Sequence, residues 1–204
     1  MKRRKRSVLP RTCRNSATWG LNQILPLFNN GKLVMYNNPQ PATPETALAG
    51  TNTALCTFVF SATAFGAPNF SSPNDAATAS FVATSVTPGA NGTVTFARAT
   101  LNSAAWTANA TYANLFTIVS NSGNFYVLTK SGTAAASGGP SGTSNAVADN
   151  SAQWSYYSAT SGQNSVLSDF SVGTSASDIV IGSTSITTTV QVTMTSFVLQ
   201  TTAS

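Results

Sequence analysis

The residues that most often carry out catalysis are scarce in this chain of 204 residues. It contains no histidine, which removes the usual general base, every Ser–His or Cys–His dyad and the commonest metal ligand. Cys13 and Cys56 are the only cysteines, and two cysteines so far apart make neither a zinc site nor a disulfide framework. A disulfide between them stays open, with free thiols favoured. The sequence therefore predicts no metal and no cofactor.

Five acidic residues remain as candidates for acid–base chemistry. Hydrolysis of a glycosidic bond needs two carboxyl groups within about 5–10 Å of each other, and only Asp169 and Asp178 are close enough in sequence to suggest such a pair. The simpler interpretation is that they tie a turn through backbone amides. We expect this chain not to be an enzyme.

Aromatic residues are concentrated between positions 100 and 160, and they allow two interpretations. Trp106, Tyr126 and Trp154 would form a glycan-binding surface if exposed, since such rings stack on sugars. Alternatively, the aromatic residues form the core of a small domain that has little else to bury.

Seven of the ten basic residues lie in the first fourteen positions, and they are Lys2, Arg3, Arg4, Lys5, Arg6, Arg11 and Arg14. The rest of the chain has three basic and five acidic residues. A basic arm of this kind binds an acidic protein surface or nucleic acid, or stays solvated. No aromatic residue interrupts it, which argues against stacking on single-stranded nucleic acid. Docking on protein is the favoured interpretation.

The elements that must carry these residues are mainly strands. Charged residues are only 7% of the chain, and the abundant Thr and Val favour strands while Gly, Asn and Pro favour turns. Residues 15–30 predict a short helix, with apolar residues at 21, 24, 25 and 28 and a kink or break at Pro26. Val190, Val192 and Met194 alternate with polar residues, and Phe197 falls out of phase, which predicts a β-bulge near Ser196.

Several motifs resemble small virion-associated proteins of tailed bacteriophages and prophages. In the first half these are residues 31–36 (Gly-Lys-Leu-Val-Met-Tyr), 40–43, 55–60 and 64–67. The second half begins with residues 92–98, which resemble the family's strand ending in Ala-Arg. In the second half, residues 169–181 resemble the family's Asp-x-x-Val-Gly-Thr-Ser-Gly-x-Asp motif, with Ala176 where a glycine is usual.

The resemblance implies a β-sandwich or jelly-roll body over 31–99 and 161–204, interrupted by an inserted β module over 100–160, after the basic arm at 1–14 and the helix or linker at 15–30. The insertion is similar to small carbohydrate-binding-like modules of phage structural proteins. Asn114-Leu115 stands where those modules usually have Gly-Asp.

The function expected from the resemblance is a capsid decoration, or cement, protein that stabilises the phage head across capsid subunits. The alternative is a tail, neck or fibre protein that binds a host glycan through the insertion. Its partners would be the major capsid protein or other virion proteins, and the low surface charge predicts a homo-oligomer, with a trimer as one arrangement. Nucleic acid is the weaker alternative. No run of eighteen apolar residues exists, so we expect no membrane insertion and a protein made in the host cytoplasm for the virion.

Overall fold

A computed structural model describes residues 24–68, 75–101, 103–160 and 165–201 of the chain. The predicted basic arm, residues 1–14, lies outside the described residues, as does the part of the predicted helix that precedes Ile24. The described chain is mainly β, as the composition predicts, and its only helix is a single 3-10 turn at Leu25–Phe28.

The strands are numbered in chain order. They are β1 Lys32–Tyr36, β2 Ala54–Phe65, β3 Asp75–Phe81, β4 Ser85–Val86, β5 Gly92–Thr93, β6 Phe96–Thr100, β7 Ala104–Ala105, β8 Thr111–Tyr112, β9 Ile118–Asn121, β10 Asn124–Lys130, β11 Gly132–Thr133, β12 Val147–Asp149, β13 Ala152–Ala159, β14 Val166–Gly173, β15 Ile179–Ile181, β16 Ser185–Ile186 and β17 Val192–Thr201.

Seven strands form a closed, barrel-like sheet. Their order is β15-β14-β6-β1-β2-β3-β17, and pairing of β15 with β17 closes the ring. The pairs are antiparallel except β14 with β15. The chain segments before and after residues 104–159 therefore belong to one sheet. The expected β-sandwich or jelly roll is not confirmed. The sheets of a sandwich or jelly roll have free edge strands, whereas this sheet closes on itself.

Barrel closure also limits which surfaces could form an oligomer. An open sheet has edge strands whose unpaired backbone groups invite other chains. In the described barrel, each of the seven strands pairs with a neighbour on both sides. Any partner must therefore cover exposed faces and loops rather than the edges of this sheet.

The predicted N-terminal helix is not seen in the part that the structure describes. From Ile24 onward the chain makes only the 3-10 turn, with Pro26 in its first half, where proline is tolerated. The turn ends at Phe28 because Asn29 leaves the helical region, with ψ at 127°. Asn30 then adopts a left-handed conformation at φ 56° and leads into β1. The apolar spacing was informative all the same, since Leu25 and Phe28 are buried in the barrel core.

Phenylalanine rings fill much of the barrel interior. Phe60 lies at the centre, with ring centroids 4.8 Å from Phe81 and 5.6 Å from Phe28. Phe197 packs edge-on against Phe65 at 5.5 Å and Phe170 at 4.8 Å. These rings come from the helical turn and from four strands, so their burial holds together segments that are distant in sequence.

The predicted bulge in the last strand is confirmed. Val180 pairs with Ser196 and Ile181 pairs with Met194, which leaves Thr195 without a counterpart on β15. The extra residue shifts the alternation by one position, so that Met194 and Phe197 both point into the core.

Residues 104–159 form a second β unit with its own core. Its sheet has the order β12-β13-β10-β9-β7, and β8 pairs with β11 beside it. The β9–β10 hairpin turns at Ser122 and Gly123, both with positive φ, as a tight type I′ turn requires. A small apolar cluster of Leu101, Ile118 and Phe125, with Leu27 and Leu167 packed against it, joins this module to the barrel.

Candidate functional site

Asp149 organises the interior of the module. Asp149 is only 2% exposed. One of its carboxylate oxygens, Oδ2, accepts hydrogen bonds from the indole Nε1–H of Trp106 at 2.8 Å and of Trp154 at 2.9 Å. The other oxygen accepts the backbone N–H of Ala135 at 2.9 Å. Three donors from separate parts of the module thus converge on one buried carboxylate, which fixes both indole rings.

Two of the three predicted glycan-binding residues lie in the core. Trp154 and Tyr126 are fully buried, and the Tyr126 hydroxyl donates to the carbonyl of Gly142 at 2.9 Å. Neither ring presents a face to solvent. For these two residues, the geometry corresponds to the interpretation of a small domain core rather than a stacking surface.

Trp106 is the one predicted glycan residue that stays partly exposed. It lines a wide, shallow cleft of about 550 Å³ together with Ser120, Asn121, Phe125 and Thr160. The cleft contains amide and hydroxyl groups but no charged residue. Such a lining suits a neutral polar ligand with one apolar face.

The ring of Trp106 is held rigidly on its other side. A Cβ atom at Gly139 would lie 2.8 Å from Cδ2 of Trp106, so only glycine allows the 138–140 loop to pack this closely. Asn121 anchors the same loop, since its Nδ2 donates to the carbonyls of Gly138 at 2.9 Å and Pro140 at 3.0 Å. The indole therefore lines the cleft at a fixed angle.

Asp169 and Asp178 do not form a catalytic pair. Asp169 makes a two-point ion pair with Arg98, at 2.7 Å from Nε to Oδ1 and 2.8 Å from Nη2 to Oδ2. The two residues are directly opposite on β14 and β6, and their side chains are 1% and 2% exposed. Arg98 also donates to the carbonyl of Thr46 at 3.1 Å, which fastens the 37–53 loop over the outside of the sheet.

Asp178 ties a turn, as the simpler interpretation predicts. Its Oδ2 accepts the backbone N–H of Ser171 at 2.9 Å and the hydroxyl of the same serine at 2.8 Å. The turn between them includes Ala176 at φ 49°. This left-handed conformation is one that glycine adopts without the steric cost of a side chain.

Cys56 is a free, buried thiol in β2. Burial raises its pKa to about 11, so the thiol stays protonated at neutral pH and is a poor nucleophile. Within the described ranges, no cluster of three potential metal ligands occurs. That part of the chain also has no helix with the length and hydropathy to span a membrane.

Two clefts beside the 3-10 turn were not predicted from the sequence. One, of about 290 Å³, lies between the turn and the module's 114–118 loop, and the other, of about 140 Å³, lies between the turn and the end of β2. Leu115 is 50% exposed beside the larger cleft, and no pattern in the sequence pointed to this place.

Charge is almost absent from the described surface. Beyond position 14 the chain has eight charged residues, and Arg98, Asp149 and Asp169 have buried side chains. Among the described side chains, the exposed charges are Lys32, Glu45, Lys130 and Asp178.

Comparison with models of protein families, with curated proteins and with solved structures found no match to this chain. The functional interpretation therefore depends on the residues themselves and on their geometry.

Proposed function

We propose that this chain is a non-enzymatic structural protein of a tailed-phage virion, and specifically a decoration protein that binds across neighbouring capsid subunits. The observation that carries the proposal is the nearly uncharged surface of the folded body, set against seven basic residues in the first fourteen positions. A freely soluble small domain usually has about 25–35% charged residues on its surface. A body with so few charges suits contact with other protein.

The folded interior supports the same proposal. Three of the eight charged residues beyond the arm hold the interior together: Arg98 with Asp169 holds a loop to the barrel, and Asp149 holds two indoles. Among the described residues, Asp149, Asp169 and Asp178 each make structural hydrogen bonds, and Cys56 is buried. The motifs that resemble virion proteins coincide with this fastening, since Arg98 ends one motif and Asp169 begins another.

The basic arm is proposed to dock on acidic patches of adjacent capsid subunits, in a homo-oligomer such as a trimer. Exposed ion pairs contribute about 0–1 kcal/mol each. Several ion pairs together would strengthen binding without fixing the position of the protein on the shell. Apolar contacts of the body would add about 25 cal/mol per Å² of buried apolar area.

Replacing all seven basic residues of the arm by glutamine should weaken binding to phage shells that lack this protein. At 50 mM salt we expect about a tenfold loss of affinity, because a few ion pairs account for about 1.4 kcal/mol. At 500 mM salt the loss should nearly vanish, since exposed charges are then screened. Co-sedimentation with shells measures both values.

The glutamine variant keeps the length of the arm, so it separates charge from reach. Equal binding of variant and wild type at every salt concentration would contradict the role of the arm. If binding disappears on nuclease treatment of the shells, the arm binds nucleic acid instead.

A second candidate function is glycan binding from a tail, neck or fibre position. The specific observation in its favour is the fixed, partly exposed indole of Trp106 in an uncharged cleft that also contains Asn121 and Thr160. Because Tyr126 and Trp154 are buried, this proposal rests on Trp106 and not on three aromatic residues.

A glycan array followed by calorimetry tests the second candidate. If it holds, Trp106→Leu should weaken binding of the selected oligosaccharide at least fivefold, which corresponds to about 1 kcal/mol of lost aromatic contact. Tyr157→Leu is the matched control, because Tyr157 is an exposed aromatic residue of the same module at 38% and lies outside the cleft lining. Failure of the whole array to bind would remove this candidate, as would equal affinities for the two variants, with folding verified by circular dichroism.

A further inference from the structure

The surface around the 3-10 turn combines two clefts that share a wall. Pro26 and Asn29 line both the cleft of about 290 Å³ and the cleft of about 140 Å³. The larger one also has an apolar lining from barrel and module, formed by Leu27, Ala62, Leu115, Phe116 and Ile118. Neither lining includes a charged residue. The two clefts thus form one uncharged groove on either side of the turn.

Two large apolar side chains are exposed at this groove. Leu115 lies in its lining at 50% exposure, and Ile24, directly before the turn, is 48% exposed. Single exposed apolar residues are ordinary, whereas ligand sites are typically concave and lined by apolar side chains together with a few polar groups.

The module side of the groove is held in an unfavourable backbone conformation. Phe116 has φ 66°, which is a rare conformation for a bulky residue. Its N–H donates to the carbonyl of Leu128 at 3.0 Å, and Thr117 donates from its hydroxyl to the carbonyl of Asn114 at 2.6 Å. These bonds fix the loop so that Leu115 stays outside the core of the module.

The barrel side is equally fixed. Asn29 accepts the backbone N–H of Ala64 through Oδ1 at 2.8 Å, and the N–H of Asn30 donates to the carbonyl of Ser61 at 3.1 Å. A Cβ at Gly31 would lie 2.5 Å from the carbonyl oxygen of Thr100, so the chain can pass here only as glycine. Both walls of the groove are therefore preformed.

Charge indicates which partner fits this groove. The basic arm joins the folded body through Ile24, at the groove itself. Arg14 precedes Ile24 by ten positions, so the two residues can lie at most about 35 Å apart at roughly 3.5 Å per residue. A partner in the groove lies within reach of the arm, and a partner with acidic residues beside its apolar contact would engage both.

We propose that this groove is the docking site for an apolar segment of another polypeptide that carries acidic residues next to it. The proposal deepens the proposed function and rests on it, because that polypeptide is taken to be a capsid subunit. The groove would fix the position of the protein on the shell, and the arm would add attraction that depends on salt.

Binding of the full chain to shells that lack it tests the groove. Leu115→Asp should weaken binding at least tenfold, both at 50 mM and at 500 mM salt, because a carboxylate cannot be buried against an apolar segment and salt does not screen that cost. Leu115→Met should bind like wild type. Val190→Asp is the matched control, since Val190 is 63% exposed and lines neither cleft, and its affinity should change less than twofold.

The possible outcomes separate the two proposals. If the wild-type chain does not bind shells, the proposed function fails and the groove's partner with it. If wild type binds and Leu115→Asp binds as well as Val190→Asp, only the groove is overturned. Should Leu115→Asp instead abolish self-association of the free chain in analytical ultracentrifugation while shell binding persists, the occupant is a second copy and the proposal is wrong.

Discussion

Replacing Asp169 by asparagine should lower the free energy of unfolding by about 3–5 kcal/mol, which is the usual effect of removing one partner from a buried ion pair. The change keeps the shape of the side chain but removes the carboxylate charge that Arg98 contacts at two points, at a site where both side chains are at most 2% exposed. Urea denaturation followed by circular dichroism measures the effect.

A double replacement separates charge from packing. Arg98→Met combined with Asp169→Leu removes both charges, and it should recover most of the stability lost in Asp169→Asn, because apolar side chains of similar volume can substitute for a buried pair. The bond from Arg98 to the carbonyl of Thr46 would still be lost, so the 37–53 loop should become more sensitive to protease. A loss below 1 kcal/mol for Asp169→Asn would mean that the pair is not buried as described.

Replacing Asp149 by asparagine should loosen the module. An amide offers one acceptor oxygen where the carboxylate serves three donors from Trp106, Trp154 and Ala135. Each buried donor left without an acceptor costs about 1–3 kcal/mol. We expect faster amide exchange in β9, β10 and β13 and a shift of tryptophan fluorescence to longer wavelength, with barrel amides still protected.

Asp178→Asn is the matched control for this prediction, because Asp178 is an exposed carboxylate that bonds only Ser171 among the described residues. Its effect should stay within the barrel and leave tryptophan fluorescence unchanged. Unaltered exchange in the module of Asp149→Asn would contradict the organising role of this carboxylate.

Local patterns in the sequence predicted several elements because neighbouring residues alone determine them. The alternation at Val192 and Met194, broken before Phe197, is a property of one strand, and the bulge follows from it. Of the apolar residues whose spacing predicted a helix, Leu25 and Phe28 are buried, whereas Ile24 is exposed. The described part of that helix is only a 3-10 turn, which ends where Asn29 leaves the helical region and Asn30 adopts a left-handed conformation.

Long-range pairings were not predictable in this way. Closure of the barrel depends on β15 meeting β17, and nothing in either strand specifies that contact. Arg98 and Asp169 are 71 positions apart, so the carboxylate was considered for a turn and not for an ion pair. Asp149 was counted only as a charge, since its role appears when two indoles converge on it.

The candidate glycan surface shows the same limit. Composition could not separate the two interpretations of the aromatic residues, because a small core and a sugar-stacking surface need the same residue types. Burial decides the question residue by residue: Tyr126 and Trp154 belong to the core, and Trp106 lines a cleft.

The central claim is that this weakly charged β body is built to be covered by other protein, and cryo-electron microscopy of particles containing the chain tests it most directly. We expect density for the barrel above junctions between capsid subunits, with the groove at Leu115 against the shell. Density for the chain at a tail tip, with that groove facing solvent, would contradict it.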